Sequence, residues 1–463
     1  MELSNWNRRL VLKGLAASTA VGLASPLVVR HAQAQASDLS AYQSAKIDWR
    51  QAEGENITVA VIPAGYFENL ITLAPQFQEL TGINVRFEKV PPAQIRQKAV
   101  LDLTSGTGTY ATHAADPMYY PLYQANGWVE DLTPYLDDAS LTDKAWFRPE
   151  DIVPSWLAAN SIEGKVYGIP YDGEVTLQVL RKDLHEAKGL KPADDFEGFL
   201  ANAKELHAPQ DRVWATALRG LAGAGQNVYI YSSIFRAFGG EWLPGGTLTV
   251  NGPEAEAALA WYVDTMKTYA PAAAQNWNWP DIADAFSQGT LASYIDAHSS
   301  ASVINNPEKS QVIGKISYAR WPKGPSGKRV SSIWNWGFPI NTQLSDEQKK
   351  ATWLFIQWAA SPETQIRTSY KFEGATRRSG VNRLSMWEDP GYIETVSKFG
   401  DNFVEATLTA LREDTDVEWR PRVPQWPGIG DVVATAVASA LAGQATPKAA
   451  LDAAQERVSS MMR

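Results

Sequence analysis

Carboxylates and aromatic rings occur together at several points along this chain, near the ends of strand-like runs. Asp116 closes a short segment and precedes Pro117, Tyr119 and Tyr120. Asp172-Gly173-Glu174 separates two β-rich runs, Asn276-Trp277-Asn278-Trp279-Pro280-Asp281 is dense in both types, and Asp296 follows another strand candidate. Trp334 and Trp336 are two residues apart, so on a strand both point to one face, with Gly337 beside them. Two chemistries use such groups. Paired carboxylates can run glycoside hydrolysis, but only at a defined separation in space. Aromatic faces can hold the apolar faces of sugars, and Trp is abundant at 18 of 463 residues. Each group also has a plainer use: an Asp before Pro starts turns, and a Trp-rich loop either lines a cleft or packs beneath a lobe.

Other catalytic chemistry finds little support. No Gly-x-Ser-x-Gly elbow follows a strand, and His113, His185, His207 and His298 lack the helical spacing of a zinc site. Cysteine is absent, which removes disulfides, thiolate metal sites, iron–sulfur clusters and a cysteine nucleophile. No cofactor or metal motif is present, and a non-enzymatic role is expected.

Residues 1–36 read as a leader. Arg8-Arg9-Leu10-Val11-Leu12-Lys13 is followed by a modest apolar stretch and by Ala32-Gln33-Ala34-Gln35-Ala36, resembling a twin-arginine export signal cut near Ala34 or Ala36. That segment carries four basic residues and one acidic, so its removal takes the net charge from −9 to −12. An acidic chain is a poor partner for nucleic acid or anionic lipid. No later run has the length of a membrane span. A freely soluble periplasmic product, expected as a monomer, fits this composition.

The remaining chain is long enough for two lobes. Ile57–Ile62 reads as a buried strand, Phe67–Leu80 as a helix stopped by Gly82, and Ile83–Phe87 as the next strand, which implies a parallel sheet with a right-handed crossover. Helices are expected over Gln94–Leu103, Phe196–Leu206, Glu254–Tyr269 behind Pro253, and Asp346–Ala360 behind a Ser345 cap. Val166–Tyr171, Thr176–Leu180, Thr290–Ile295 and Ile333–Ile340 are strand-like, and 430–462 is helical with breaks near Gly443 and Pro447.

Four of these phrases, in order, resemble the extracellular solute-binding proteins of carbohydrate ABC importers, the group that includes maltose-binding protein. They are Phe77–Val85, Gly164–Asp172 followed by Leu180–Leu184, Trp334–Ile340 with its helix running to Ser361-Pro362-Glu363, and Leu441–Val458. The resemblance implies a two-lobed α/β fold of mostly parallel sheets flanked by helices, with lobe 1 from 45–172 and 296–342 and lobe 2 from 173–295 and 343–463. It also implies a sugar or polyol held in the interlobe cleft and delivered to membrane permease subunits. Such ligands offer hydroxyl edges to Asp, Glu and Asn and ring faces to aromatics, and each unpaired buried group costs about 1–3 kcal/mol.

On that footing the candidate binding residues are Tyr66 after the first strand, Asp116, Tyr120, Asp172 at the first crossing, Trp279, Asp296, Trp334, Trp336, Gly337 and Arg378. Glu174 is the second choice at the crossing, as a cap or hinge-tuning group. Gly337 is expected to let a ligand approach closely, and Trp336 to be the stacking platform. Arg377 and Arg378 either reach back into the cleft or are solvated. A non-sugar solute in the same fold and an exported carbohydrate-active enzyme remain the rival readings.

Overall fold

A computed structural model describes residues 38–371 and 378–462, and from Leu39 onward the chain is one compact unit. The leader and Arg377 lie outside the described residues. The first strand, Asn56–Val61, is parallel to Asn84–Lys89 on one side and to Thr112–His113 on the other. Between the first two runs helix Gly65–Thr81, which ends at Gly82 with φ +73°. A Cβ there would meet the Glu53 side chain at 2.6 Å, so the stop needs glycine for space as well as for its dihedral.

The strand-like runs around Asp172-Gly173-Glu174 are one continuous strand, Ile169–Arg181. No turn interrupts it, only a register shift between Pro170 and Asp172. Its second half pairs antiparallel with Ser293–Ala297 and Ile316–Ala319, and its first half with Ile333–Phe338. The strand joins two separate cores: Ile169 and Tyr171 lie in the first, and Val175, Leu177 and Val179 in the second. Ile333–Phe338 returns the same way, with Ile333 and Trp334 in the second core and Phe338 in the first.

This core membership corrects the expected lobe boundaries. Residues such as Ala297, Ile316, Tyr318 and Trp321 pack in the second core, because their strands and turns complete the sheet built on Val175–Arg181. Helix Asp346–Ala360, assigned to lobe 2, packs in the first core instead. The rings of Phe355 and Trp358 lie 5.6 and 5.2 Å from Phe77. Ser345 caps this helix as expected, within a capping box completed by Gln348.

The chain passes back to the second core between Ala360 and Val381, and Arg383 fastens this passage. Its guanidinium is fully buried, lies over the Phe147 ring, and donates to the carbonyls of Ala360, Phe147 and Arg148 at 2.6–2.9 Å. Arg383→Met, similar in volume, would leave three buried carbonyls without a charged donor. Urea unfolding should show a loss of about 3 kcal/mol or more, whereas a loss below about 1 kcal/mol would contradict this role for Arg383.

Candidate functional site

Facing residues of an antiparallel pair point to the same side of the sheet. Asp172 lies opposite Trp336, and Glu174 opposite Trp334. Two carboxyls and two indoles therefore share one face at the place where the strands pass between cores. The Trp334 and Trp336 rings are 6.1 Å apart at 70°, in line with the face expected from their spacing.

Among the described residues, four arginines meet this face. Arg378, almost wholly buried, lies over the Tyr171 ring and donates to Asp172 at 2.9 and 3.2 Å, to Thr368 at 2.8 Å and to the Tyr171 carbonyl at 3.0 Å. Arg219 makes a fork onto both oxygens of Asp296 and sits 4.4 Å over the Tyr229 ring. Arg96, on helix Pro92–Ser105, donates to Asp116 at 2.8 Å while lying 5.4 and 5.7 Å from Trp334 and Trp336. Arg420 lies over Trp334 and Trp419, with Asp116 at 3.7 Å.

Among the described residues Glu174 has no arginine of its own. Burial pushes its carboxyl up to about 7, while nearby Arg219 and a hydrogen bond from Ser299 pull it down and Asp296 raises it. Burial likewise raises Asp172, with Arg378 opposing. Tyr66 is part-exposed, but burial of its hydroxyl and the charges of Asp172 and Glu174 hold it well above its ordinary value.

The structure thus brings Tyr66, Asp116, Asp172, Asp296, Trp334, Trp336 and Arg378 around one region. Three other candidates lie away from it. Gly337 belongs to the opposite face: a Cβ there would meet Asn160 at 2.5 Å and the Tyr120 hydroxyl at 2.7 Å, so its smallness admits core side chains and not a ligand. Tyr120 is fully buried, with its hydroxyl against Gly168 and Gly337. Trp279 opens helix Trp279–Ser287, is 40 % exposed, and is not part of the buried cluster. Its neighbours Trp277 and Asp281 line a separate surface groove of about 750 Å³ with Trp214, and Asp281 also accepts from the Asn278 amide.

Arg96, Arg219, Tyr229 and Arg420 were not selected from the sequence, and Glu174 was ranked behind Asp172. A signal existed for two of them. Arg219 enters the glycine-rich stretch Gly220–Gly225, and Arg420 lies between Trp419 and Pro421. Both are arrangements that place a guanidinium beside rings or tight backbone. Among the described residues no cluster of His, Asp and Glu could hold a metal ion, and no helix is long and apolar enough to cross a membrane.

Two α/β lobes joined by crossing strands, with polar and aromatic groups gathered at the crossing, define a periplasmic-type binding protein. The chain belongs to the bacterial extracellular solute-binding protein family, whose model matches residues 63–366. An erythritol/L-threitol-binding protein of Mycolicibacterium smegmatis is 26% identical over 80% of this chain and 82% of its own length. A mannitol-binding protein of Pseudomonas aeruginosa is 24% identical over 88% and 93%. A solute-binding protein of Agrobacterium radiobacter, solved with ribitol, is 28% identical and superposes with a TM-score of 0.76 over 88% of this chain and 98% of its own. The family and these relatives are binding proteins.

Glu174 gives the site a pH signature. Between its ordinary value of 4.5 and about 7, the folded carboxyl keeps a proton that the unfolded chain has released. Its contribution to stability therefore falls as pH rises through that window and is level above it. Glu174→Gln is neutral at every pH, so the variant's melting temperature should gain on the parent's from about pH 5 to about pH 7 in ligand-free protein. A pH-independent difference in thermal melts would contradict the assignment.

Proposed function

We propose that the region between the two cores captures a polyol or small neutral sugar, and that the protein delivers it to the membrane permease of an ABC importer. The observation that carries this reading is the balance of the site. Among the described residues, four guanidiniums, of Arg96, Arg219, Arg378 and Arg420, stand against four carboxyls, of Asp116, Asp172, Glu174 and Asp296. The set offers fixed donors and acceptors in equal number and leaves little net charge to favour an ionic solute. A hydroxyl uses both, giving its hydrogen to a carboxylate and accepting from a guanidinium. Trp334 and Trp336 supply the apolar surface for the carbon skeleton. The polyols named for the relatives belong to the same chemical class.

In this reading Tyr66, Asp116, Asp172, Glu174, Asp296, Trp334, Trp336, Arg96, Arg219 and Arg378 touch or position the ligand, and no catalytic step is assigned to them. Closure of the lobes would bury it. The protein works as a monomer in the periplasm, exported by the twin-arginine route. N-terminal sequencing of the exported protein should begin at Gln35 or Ser37, and an intact Met1 would contradict export by cleavage.

The test of ligand class is calorimetric titration of the mature chain with four- to six-carbon alditols, the matching aldoses, and amino acids. At least one alditol or aldose should bind with a Kd in the micromolar range or tighter, roughly −8 kcal/mol or more favourable. Binding confined to amino acids would defeat the proposal.

A further inference from the structure

Arg420, which lies over Trp334, also lines a small cavity outside the proposed solute contacts. Pro117, Met118, Ile333 and Trp419 join Arg420 and Arg422 around a cavity of about 20 Å³. That is room for one water-sized particle. Among the described residues that line it, the charged groups are the two guanidiniums. Arg420 is 5 % exposed, and Arg420 Nη1 and Arg422 Nη2 are both out of solvent with no hydrogen-bond acceptor among the described residues.

The neighbouring carboxylates do not meet this demand. Asp116 stands 3.7 Å from Arg420 and is already engaged by Arg96 at 2.8 Å. Glu418 approaches Arg422 only to 4.0 Å, from a half-exposed position. Three guanidiniums therefore share two carboxylates. Burial pushes both Arg420 and Arg422 below their ordinary range, with Asp116 and Glu418 opposing it.

We propose that this cavity binds one small monovalent inorganic anion, of the class of chloride, between Arg420 Nη1 and Arg422 Nη2. Buried charged donors demand both hydrogen-bond acceptors and counter-charge. A water molecule supplies lone pairs but no charge, while a halide supplies both within the volume of one particle. The remaining wall is apolar, so the two guanidinium nitrogens are the groups that hold the ion.

The position gives the ion a structural role. Arg420 lies 4.9 Å from Trp334, and Arg96 lies 5.4 Å from the same ring. An anion bound to Arg420 offsets the repulsion of two cations gathered on one indole and steadies the Trp334 ring on its crossing strand.

The test uses the full mature chain freed of polyol, so its outcome is independent of which solute the protein carries. Thermal melts in sodium chloride and in sodium methanesulfonate are compared at one ionic strength, and crystals grown in bromide are measured at the bromine edge. Chloride and bromide, but not methanesulfonate, should raise the melting temperature by about 1–3 °C at about 200 mM. One anomalous peak should lie between Arg420 and Arg422, and Arg422→Met should lose the halide-specific rise. Equal melting of the parent protein in the two salts with no bromine peak would overturn the proposal, leaving water as the occupant. A halide-specific rise that persists in Arg422→Met would overturn it as well.

Discussion

The structure depends on how charge is carried across the gap between two cores. Ile169–Arg181 starts in one core and ends in the other, and at its midpoint it bears Asp172 and Glu174. Burying carboxylates is expensive unless each finds a partner. Arg378 meets that need for Asp172 from a segment 206 residues away, and Arg219 lies near Glu174 while pairing with Asp296. Strand pairing then decides what else shares the face. Because Asp172 and Glu174 are in register with Trp336 and Trp334, the indoles must stand beside the carboxyls. The other face receives Gly173, where a Cβ would meet the Trp156 ring at 2.8 Å, and Gly337. One alternation thus sorts the crossing into a polar, aromatic side and a packed side.

The charged pairs are largely built within single lobes. Arg96 and Asp116 lie with the first core's elements, whereas Arg219 and Asp296 lie beside second-core residues such as Leu218 and Ile295. Fewer contacts run across, chiefly Arg96 over Trp334 and Asp116 toward Arg420. Donors and acceptors held in place before a solute arrives lose little conformational freedom on binding it. Lobe closure then has mainly to bring two ready surfaces together.

Much of the fold was legible because its signals are local. Gly82 stops a helix, Ser345 starts one, Pro253 opens another, and the two-residue spacing of Trp334 and Trp336 gives their common face. The carboxylate half of the site was legible for a related reason, since Asp116, Asp172 and Asp296 sit at strand ends or crossings. The arginines of Asp116 and Asp296 were not picked out: Arg96 is 20 residues from Asp116 and Arg219 is 77 from Asp296, and nothing local reports such pairs. The lobe boundaries failed similarly, because helix Asp346–Ala360 crosses back to pack on Phe77. Tyr120 and Gly337 fall on the other face, and a tyrosine next to an acidic turn or a glycine next to two tryptophans looks the same in sequence whichever face it occupies.

The central claim is that the crossing strands and the arginines gathered on them form the solute site. A crystal structure of the protein with the alditol or sugar it binds tests this most directly. The ligand should lie against Trp334 and Trp336, with its hydroxyls within about 3.2 Å of Glu174 and of at least two of the arginine–aspartate pairs. Ligand density in the groove lined by Trp214 and Trp277, with the crossing unchanged, would contradict it.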